Sequence, residues 1–331
     1  MSFMNLVHSI RNNVPYIFLT NGGGVRETEK AEELSKKLGV PVNSDHLIVS
    51  HSPMRALVPK YKDSNVLVVG GRGSSCKHVA LDYGFRNVVT PEEVHAVHPP
   101  ENLKNVGKPI DAVMVFHDSV DWGRDLQLCL DALASKGGAL GTVKDPEELQ
   151  STKQSVPIYF SNPDIVMFGV MSTRCLDSVK VPLDYALRRY TRYATRQYLV
   201  KGKYGQSLVC VSVLTNALQT LAGQELEYTT YGKPMTSTYK YAETLLDKIA
   251  PLTPGPDGRP PKRTVYAVGD NPYADIAGAN AYGWDSVLVK TGVFKTRGYE
   301  NHHEHPATTV VDHVEDAIRW IIAKEEMKKR Q

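Results

Sequence analysis

Short apolar runs, each followed by a longer amphipathic or polar stretch, recur along the chain. This alternation confines it to one class of fold. Four or five consecutive aliphatic residues suit a strand buried on both faces, and the stretches between them suit helices that return to the same sheet edge. The pattern predicts an α/β architecture, a mostly parallel sheet with helices on both faces. Tyr16-Ile17-Phe18-Leu19 is the first run and ends in Thr20-Asn21-Gly22-Gly23-Gly24. Glu27 to Leu38 follows as a helix, with Ala31, Leu34 and Leu38 at helical spacing and Gly39 as its stop. Further strands are expected at Val66–Val69, Asp111–Phe116, Val156–Phe160, Thr264–Val268 and Ser286–Val289. Pro251 to Pro261, with five prolines and two glycines, reads as a surface loop, and Val314 to Lys329 as a closing helix.

Size and charge narrow the function classes. A chain of 331 residues with 41% hydrophobic content can bury a sizeable core in about two domains. A net charge of +3 favours neither nucleic acid nor a membrane surface as the main partner. Cys76, Cys129, Cys175 and Cys210 are scattered without a CxxC pair, the usage of reduced thiols inside a cell. No apolar run approaches the ~18 residues that span a bilayer, and Met1 to Arg11 has no signal-peptide character. The expectation is a soluble intracellular protein.

Three places carry chemistry. Thr20 stands at the carboxyl end of a strand, before Asn21 and three glycines; its hydroxyl and the backbone amides of a loop at Asn21 and Gly22 suit a phosphoryl group. A plain glycine-rich turn is the alternative. Asp270 and Asp275 bracket the turn after the strand Thr264–Val268, and two converging carboxylates call for a cation, Mg²⁺ being the natural one. The alternative is that Asp275 caps the next helix. Lys233, between Gly232 and Pro234, is a point charge on a restricted backbone, aimed at phosphate or carboxylate, although Gly-Lys-Pro also occurs in ordinary turns. His302, His303 and His305 read as a solvated loop or a metal cluster, and Lys324 to Arg330 as a solvated helix end. From Met167 to about Lys201 the chain loses its period and becomes rich in Arg and Tyr. That stretch reads as an insertion loop, as translated non-coding sequence, or as a base-stacking surface in Arg188–Lys203.

Taken in order, Thr20, Lys233, then Asp270 and Asp275 resemble three of the four motifs of the haloacid dehalogenase superfamily. The surrounding text is similar to its subfamily IIA hydrolases, in particular the group of haloacid dehalogenase-like hydrolase domain-containing protein 5. It includes "PYIFLTNGGG", "SHSPMRAL", "VLVVGG", "DAVMVFHDSVDWGRDLQ", "VPIYFSNPD", "LTNALQTLAGQELEYTTYGKP" and "VYAVGDNPYADIAGANAYGWDSVLVKTGVF". The resemblance implies a Rossmann-like core over residues 1–51 and 226–331, with a C2-type α/β cap over 52–225. It implies a Mg²⁺-dependent phosphomonoesterase in which Thr20 and the Asn21–Gly22 loop hold the phosphoryl group. Lys233 would meet the transition-state charge, Asp270 would bind the metal, and Asp275 would support the metal site. The implied partner is a small phosphorylated metabolite, with no nucleic acid, no membrane span and a homo-oligomer open to it through the cap. The compartment would be mitochondrial or cytoplasmic.

The same resemblance marks two departures. The family opens on a strand ending in DxDG, which supplies an aspartate nucleophile and a second aspartate as general acid/base. Here the first acidic residues are Glu27 and Glu29, both beyond Thr20, and Phe116-His117-Asp118 aligns with a strand of the cap. The family also runs from "NPD" directly into Phe/Tyr-Gly-Gln, which here is Tyr204-Gly205-Gln206 after the atypical insertion of about 167–201. Together they suggest a faulty gene model, with a lost first exon and a retained intron. The chain as written is expected to be catalytically inactive. The alternative is a dead isoform that binds a phosphometabolite or a protein partner.

Overall fold

The apolar runs become parallel strands of an α/β fold. The computed structural model describes residues 14–96, 108–145, 147–148, 154–163, 166–168, 207–209, 226–254, 263–296 and 298–330. Met1–Arg11, Cys175, Cys210, Arg188–Lys203 and all of 167–201 beyond Phe168 lie outside them. The chain forms two units. The first holds Met1–Thr20, Glu27–Ile48 and Gly232–Gln331, and the second holds Asn21–Arg26 and Val49–Tyr231.

The first unit opens with β1 (Phe18–Leu19), α1 (Glu27–Leu38) and β2 (Leu47–Ile48). β1 and β2 are parallel, with Phe18 opposite Leu47 and Leu19 opposite Ile48. β1 is shorter than the run Tyr16–Leu19, because its partner offers only these two rungs. Tyr16 instead sets its ring edge-on against Phe18 and His46. α1 has the expected limits. Glu27 and Glu29 lie in its first turn and Lys36 and Lys37 in its last, each suiting the helix dipole. Gly39 closes it at φ 67°, its N–H donating to the Ser35 carbonyl.

In the second unit β3 (Asn65–Val69), β4 (Asn87–Val89), β5 (Ala112–Val115), β6 (Ile158–Phe160) and β9 (Tyr228–Thr230) form one parallel sheet, ordered β4-β3-β5-β6-β9. β7 (Val166–Phe168) and β8 (Ser207–Val209) pair antiparallel apart from it. The alternation of side chains explains why β3 and β5 are apolar at almost every position. Leu67, Val69, Val113 and Val115 pack on one face against Leu126, Cys129, Ala132 and Leu133. Val66, Val68, Ala112 and Met114 pack on the other against Met54, Tyr61, Val79 and Phe85. Tyr61 comes from α2 (Val58–Tyr61), Val79 from α3 (Ser75–Tyr83), and Leu126 to Leu133 from α5 (Trp122–Ala134), capped by Asp121, which accepts the Arg124 N–H; α4 (Pro91–Ala96) buries Val94. Phe116-His117-Asp118 continues from β5, within this unit.

The first unit resumes with α6 (Thr236–Ile249), β10 (Tyr266–Gly269), α7 (Ala277–Tyr282), β11 (Asp285–Val289), β12 (Thr309–Val311) and α8 (Val314–Lys329). β10, β11 and β12 are parallel in that order, and α8 covers one face through Ala317, Trp320 and Ile321. Lys324 near its end pairs with Asp285, so the basic run is not wholly solvated. The first unit thus carries two short sheets. Among the described residues no strand pairs the second edge of β1 or of β10. Both strands are half-buried although apolar, whereas Ser286–Val289 of the flanked β11 are buried.

Candidate active site

Every carboxylate and ammonium of interest in the first unit is placed by the turn that follows β10. The strand stops at Gly269, and Asn271 caps a single turn over Pro272–Ile276, its side chain accepting the Tyr273 N–H. Asp275 folds back under the strand end. Its Oδ2 accepts N–H bonds from Asp270 at 3.1 Å and Asn271 at 2.9 Å. Only glycine fits at 269, since a Cβ there would lie 2.3 Å from the Asp275 Cγ. The reading of Asp275 as a helix cap is therefore corrected. Its carboxylate serves upstream amides, and Asn271 does the capping.

Lys233 meets this turn from a position 42 residues earlier. Its Nζ donates to Asp275 Oδ1 at 2.6 Å and to the Leu19 carbonyl at 3.0 Å, the residue before Thr20. The two side chains are 14% and 11% exposed, so the pair is largely withdrawn from water. The cation that balances Asp275 is thus a lysine. An ion pair so buried is costly to break, because either partner alone is an uncompensated charge. Tyr239 on α6 donates its hydroxyl to the carbonyls of Ala274 and Asp275 at 3.1 and 3.0 Å. Burial, then the Asp275 charge, pushes the Tyr239 phenol well above its ordinary range, which keeps it a donor.

Asp270 sits at the mouth of the same loop. Its Oδ2 accepts the Val293 N–H at 2.6 Å, and its carbonyl accepts the Phe294 N–H at 2.9 Å. Gly292 allows this approach, since a Cβ there would lie 1.8 Å from Oδ2. Asp270 Oδ1 has no protein partner among the described residues. One carboxylate oxygen fits Mg²⁺, which takes few protein ligands and completes its shell with water and phosphate oxygens. Asp275, with both oxygens engaged, fits a supporting place. Among the described residues no group of three or more His, Cys, Asp or Glu side chains converges as a metal cage. That includes His302, His303 and His305: the Nδ1 of His302 accepts the His305 N–H, and the two rings stack.

Thr20, Lys233, Asp270 and Asp275 thus fall in one unit, whereas Asn21 and Gly22 are counted with the second. There Ser50 N–H donates to the Gly22 carbonyl at 3.3 Å, and Asn162 Nδ2 donates to the Asn21 carbonyl at 3.3 Å. Tyr239, Gly292, Ser50 and Asn162 carry no role in the sequence reading. Gly292 and Asn162 lie in the segments "KTGVF" and "FSNPD", and a tight glycine after a strand was the available signal for the first. Nothing local singles out Tyr239.

Comparison with known proteins bears on this geometry. Residues 5–86 match the family described as haloacid dehalogenase-like hydrolase, and residues 230–317 the one described as HAD-hydrolase-like. A mitochondrial hydrolase of Saccharomyces cerevisiae is 34% identical over 346 residues, covering 95% of this chain and 88% of the relative. The chain belongs to the haloacid dehalogenase-like hydrolase family. A cardiolipin synthase (CMP-forming)/mitochondrial hydrolase fusion protein of Schizosaccharomyces pombe is 37% identical over 332 residues, covering 95% of this chain. This chain spans only 48% of that protein's length. The p-nitrophenyl phosphatase of Archaeoglobus fulgidus shares the dehalogenase-like fold at a TM-score of 0.57 and 15% identity, over 95% of this chain and 89% of its own.

Proposed function

We propose that this haloacid dehalogenase-like hydrolase is of phosphatase type, with a site that binds a small phosphorylated metabolite. The observation that carries the reading is Lys233 Nζ, held at once by Leu19 beside Thr20 and by Asp275 beside Asp270. Three segments remote in sequence are drawn to one ammonium group. The Thr20 hydroxyl would donate to a phosphoryl oxygen, with the amides of the Asn21–Gly22 loop beside it. Lys233 would offset charge that grows on the phosphoryl group, oriented by Asp275 so that little reorganisation is needed. Asp270, supported by Asp275, would hold Mg²⁺, which when bound neutralises phosphoryl charge.

Residues 52–225 would be the C2-type cap that selects the substrate. Of the mitochondrial and cytoplasmic settings, the relatives named as mitochondrial support the first; no described helix is long and apolar enough to cross a membrane. No nucleic-acid partner is proposed, and a homo-oligomer would form through the cap. Residues 1–331 hold no aspartate before Thr20 to attack phosphorus. On this reading the chain as written binds phosphate without turning it over, the behaviour of a phosphometabolite- or protein-binding module.

The test is p-nitrophenyl phosphate hydrolysis with Mg²⁺, beside calorimetric binding of inorganic phosphate. The expected result is saturable Mg²⁺-dependent binding, lost in Asp270→Ala, with no turnover. Turnover that vanishes in Asp270→Ala would overturn the inactivity and reveal another nucleophile. Absence of phosphate binding would overturn the reading of the site.

A further inference from the structure

Asp270 is held by backbone that leans, in turn, on a histidine loop with no assigned role. Its Oδ2 and its carbonyl oxygen accept the N–H groups of Val293 and Phe294. The Phe294 ring packs on buried Ile276, Leu288, Ala307 and Val310, and meets the His302 ring edge-on at 6.0 Å. Tyr273, from the turn that follows Asp270, sets its own ring edge-on against His302 at 5.1 Å. His302 therefore touches both stretches that fix Asp270, the turn after it and the segment that grips it. All of these residues lie in the first unit.

An imidazole does here what a purely apolar ring could not. Its Nδ1 accepts the His305 N–H at 3.1 Å, so the proton of the neutral ring sits on Nε2. The His302 N–H donates to Asn301 Oδ1 at 3.0 Å. Asn301 also closes the loop onto Ala307, accepting its N–H at 2.8 Å and donating Nδ2–H to its carbonyl at 2.7 Å. The ring is thus fixed by hydrogen bonds while it packs against Tyr273 and Phe294. Protonation of Nδ1 would set one N–H against another and break the bond to His305. The titratable and charged groups around the ring are the Tyr273 phenol, His303, His305 and Glu304, the last paired with His303 at 3.3 Å. Burial, then His303 and His305, hold the imidazole below the ordinary histidine range, so it is neutral near pH 7.

We infer that His302 is a positioning residue for Asp270, fixing its carboxylate for Mg²⁺ through the rings of Tyr273 and Phe294. It is no metal ligand itself. The inference rests on the reading of Asp270 as the Mg²⁺ residue.

The experiment uses the full chain with Mg²⁺ alone as the probe, followed by ¹H–¹⁵N spectra across a range of pH. In the unmutated chain Mg²⁺ should shift the Val293 amide, whose acceptor is Asp270. Without Mg²⁺, the Val293 and Phe294 amides should follow the titration of the His302 ring. Over the same interval, below the ordinary histidine midpoint, acid should weaken Mg²⁺ binding about five- to tenfold, the worth of one neutral hydrogen bond. His302→Phe, a ring that neither accepts nor titrates, should show the weaker affinity throughout that interval. His302→Asn, whose Oδ1 replaces Nδ1 as acceptor, should recover part of the loss and be equally flat with pH. Should the variants fail to fold, the two titrations of the unmutated chain still decide. An acid-dependent affinity that persists in His302→Phe overturns this inference alone. So does an Mg²⁺ affinity, or a Phe294 amide, indifferent to the His302 titration. A Val293 amide that ignores Mg²⁺ overturns it together with the reading of Asp270.

Discussion

The Lys233–Asp275 pair shows how one side chain can carry several duties. Asp275 neutralises a buried ammonium, accepts two amides of its own loop and receives Tyr239 at its carbonyl. Asp275→Asn keeps the shape but removes the carboxylate charge that faces the Lys233 ammonium in a largely dry setting. A loss of about 3–5 kcal/mol in unfolding free energy is expected from urea denaturation, and Lys233→Met in the same background should return part of it. If Asp275→Asn unfolded at the same urea concentration as the parent, the pair would be a surface contact without structural weight. The residue types of this cluster were legible in the sequence, because a strand running into Gly-Asp-Asn-Pro-Tyr-Ala-Asp announces both carboxylates. Its wiring was not legible. Which oxygen meets which amide depends on Gly269 and Gly292 lacking a Cβ, and local sequence does not report that proximity.

Among the elements, the sharpest contrast lies between strands covered on both faces and strands left at an edge. β3 and β5 read as unbroken apolar runs because helices lie on both sides, whereas β9 at the sheet edge exposes Tyr228. Cys129 on α5 and Cys76 on α3 sit in or beside these interfaces, at 0% and 2% exposure. Burial pushes the Cys76 thiol up to about 12 and raises that of Cys129 further. Thiolate, the reactive form, is therefore scarce at both sites near pH 8. Alkylation of the native chain at pH 8 followed by peptide mass spectrometry should leave Cys76 and Cys129 unmodified, and denaturant should expose both. Rapid native labelling of either would mean that its helix does not stay on the sheet. α1 and α8 were legible to the residue, since glycine, charge and apolar spacing mark their limits locally. β1 was legible as a strand but not in length, because a strand extends only as far as its neighbour provides rungs.

At the level of the molecule, binding should register as stability. A ligand that favours the folded state stabilises it by an amount set by its concentration over Kd, about 2.7 kcal/mol at a hundredfold excess. Mg²⁺ with inorganic phosphate should therefore raise the melting temperature of this chain, and Asp270→Ala should abolish the rise. An equal rise in that variant would place the anion away from Asp270. The two-unit division itself follows from contacts that no single segment contains. Residues 21–26 count with the second unit although they follow β1 directly, and Gly232 returns the chain to the first.

The order of apolar runs and turns is enough to dictate an α/β fold with parallel strands, since local spacing decides which residues can be buried together. It also dictates the chemical inventory of the site, because threonine at a strand end, a constrained lysine and paired aspartates retain their chemistry in any packing. Pairing is another matter. That β1 and β10 belong to separate short sheets, that a lysine is the cation beside Asp275, and that Asn162 grips the loop after Thr20 all depend on distances between positions 42 to 214 residues apart. Such distances are set by packing of the whole chain, where the loop-closure cost is already met by burial elsewhere, and no local preference encodes them.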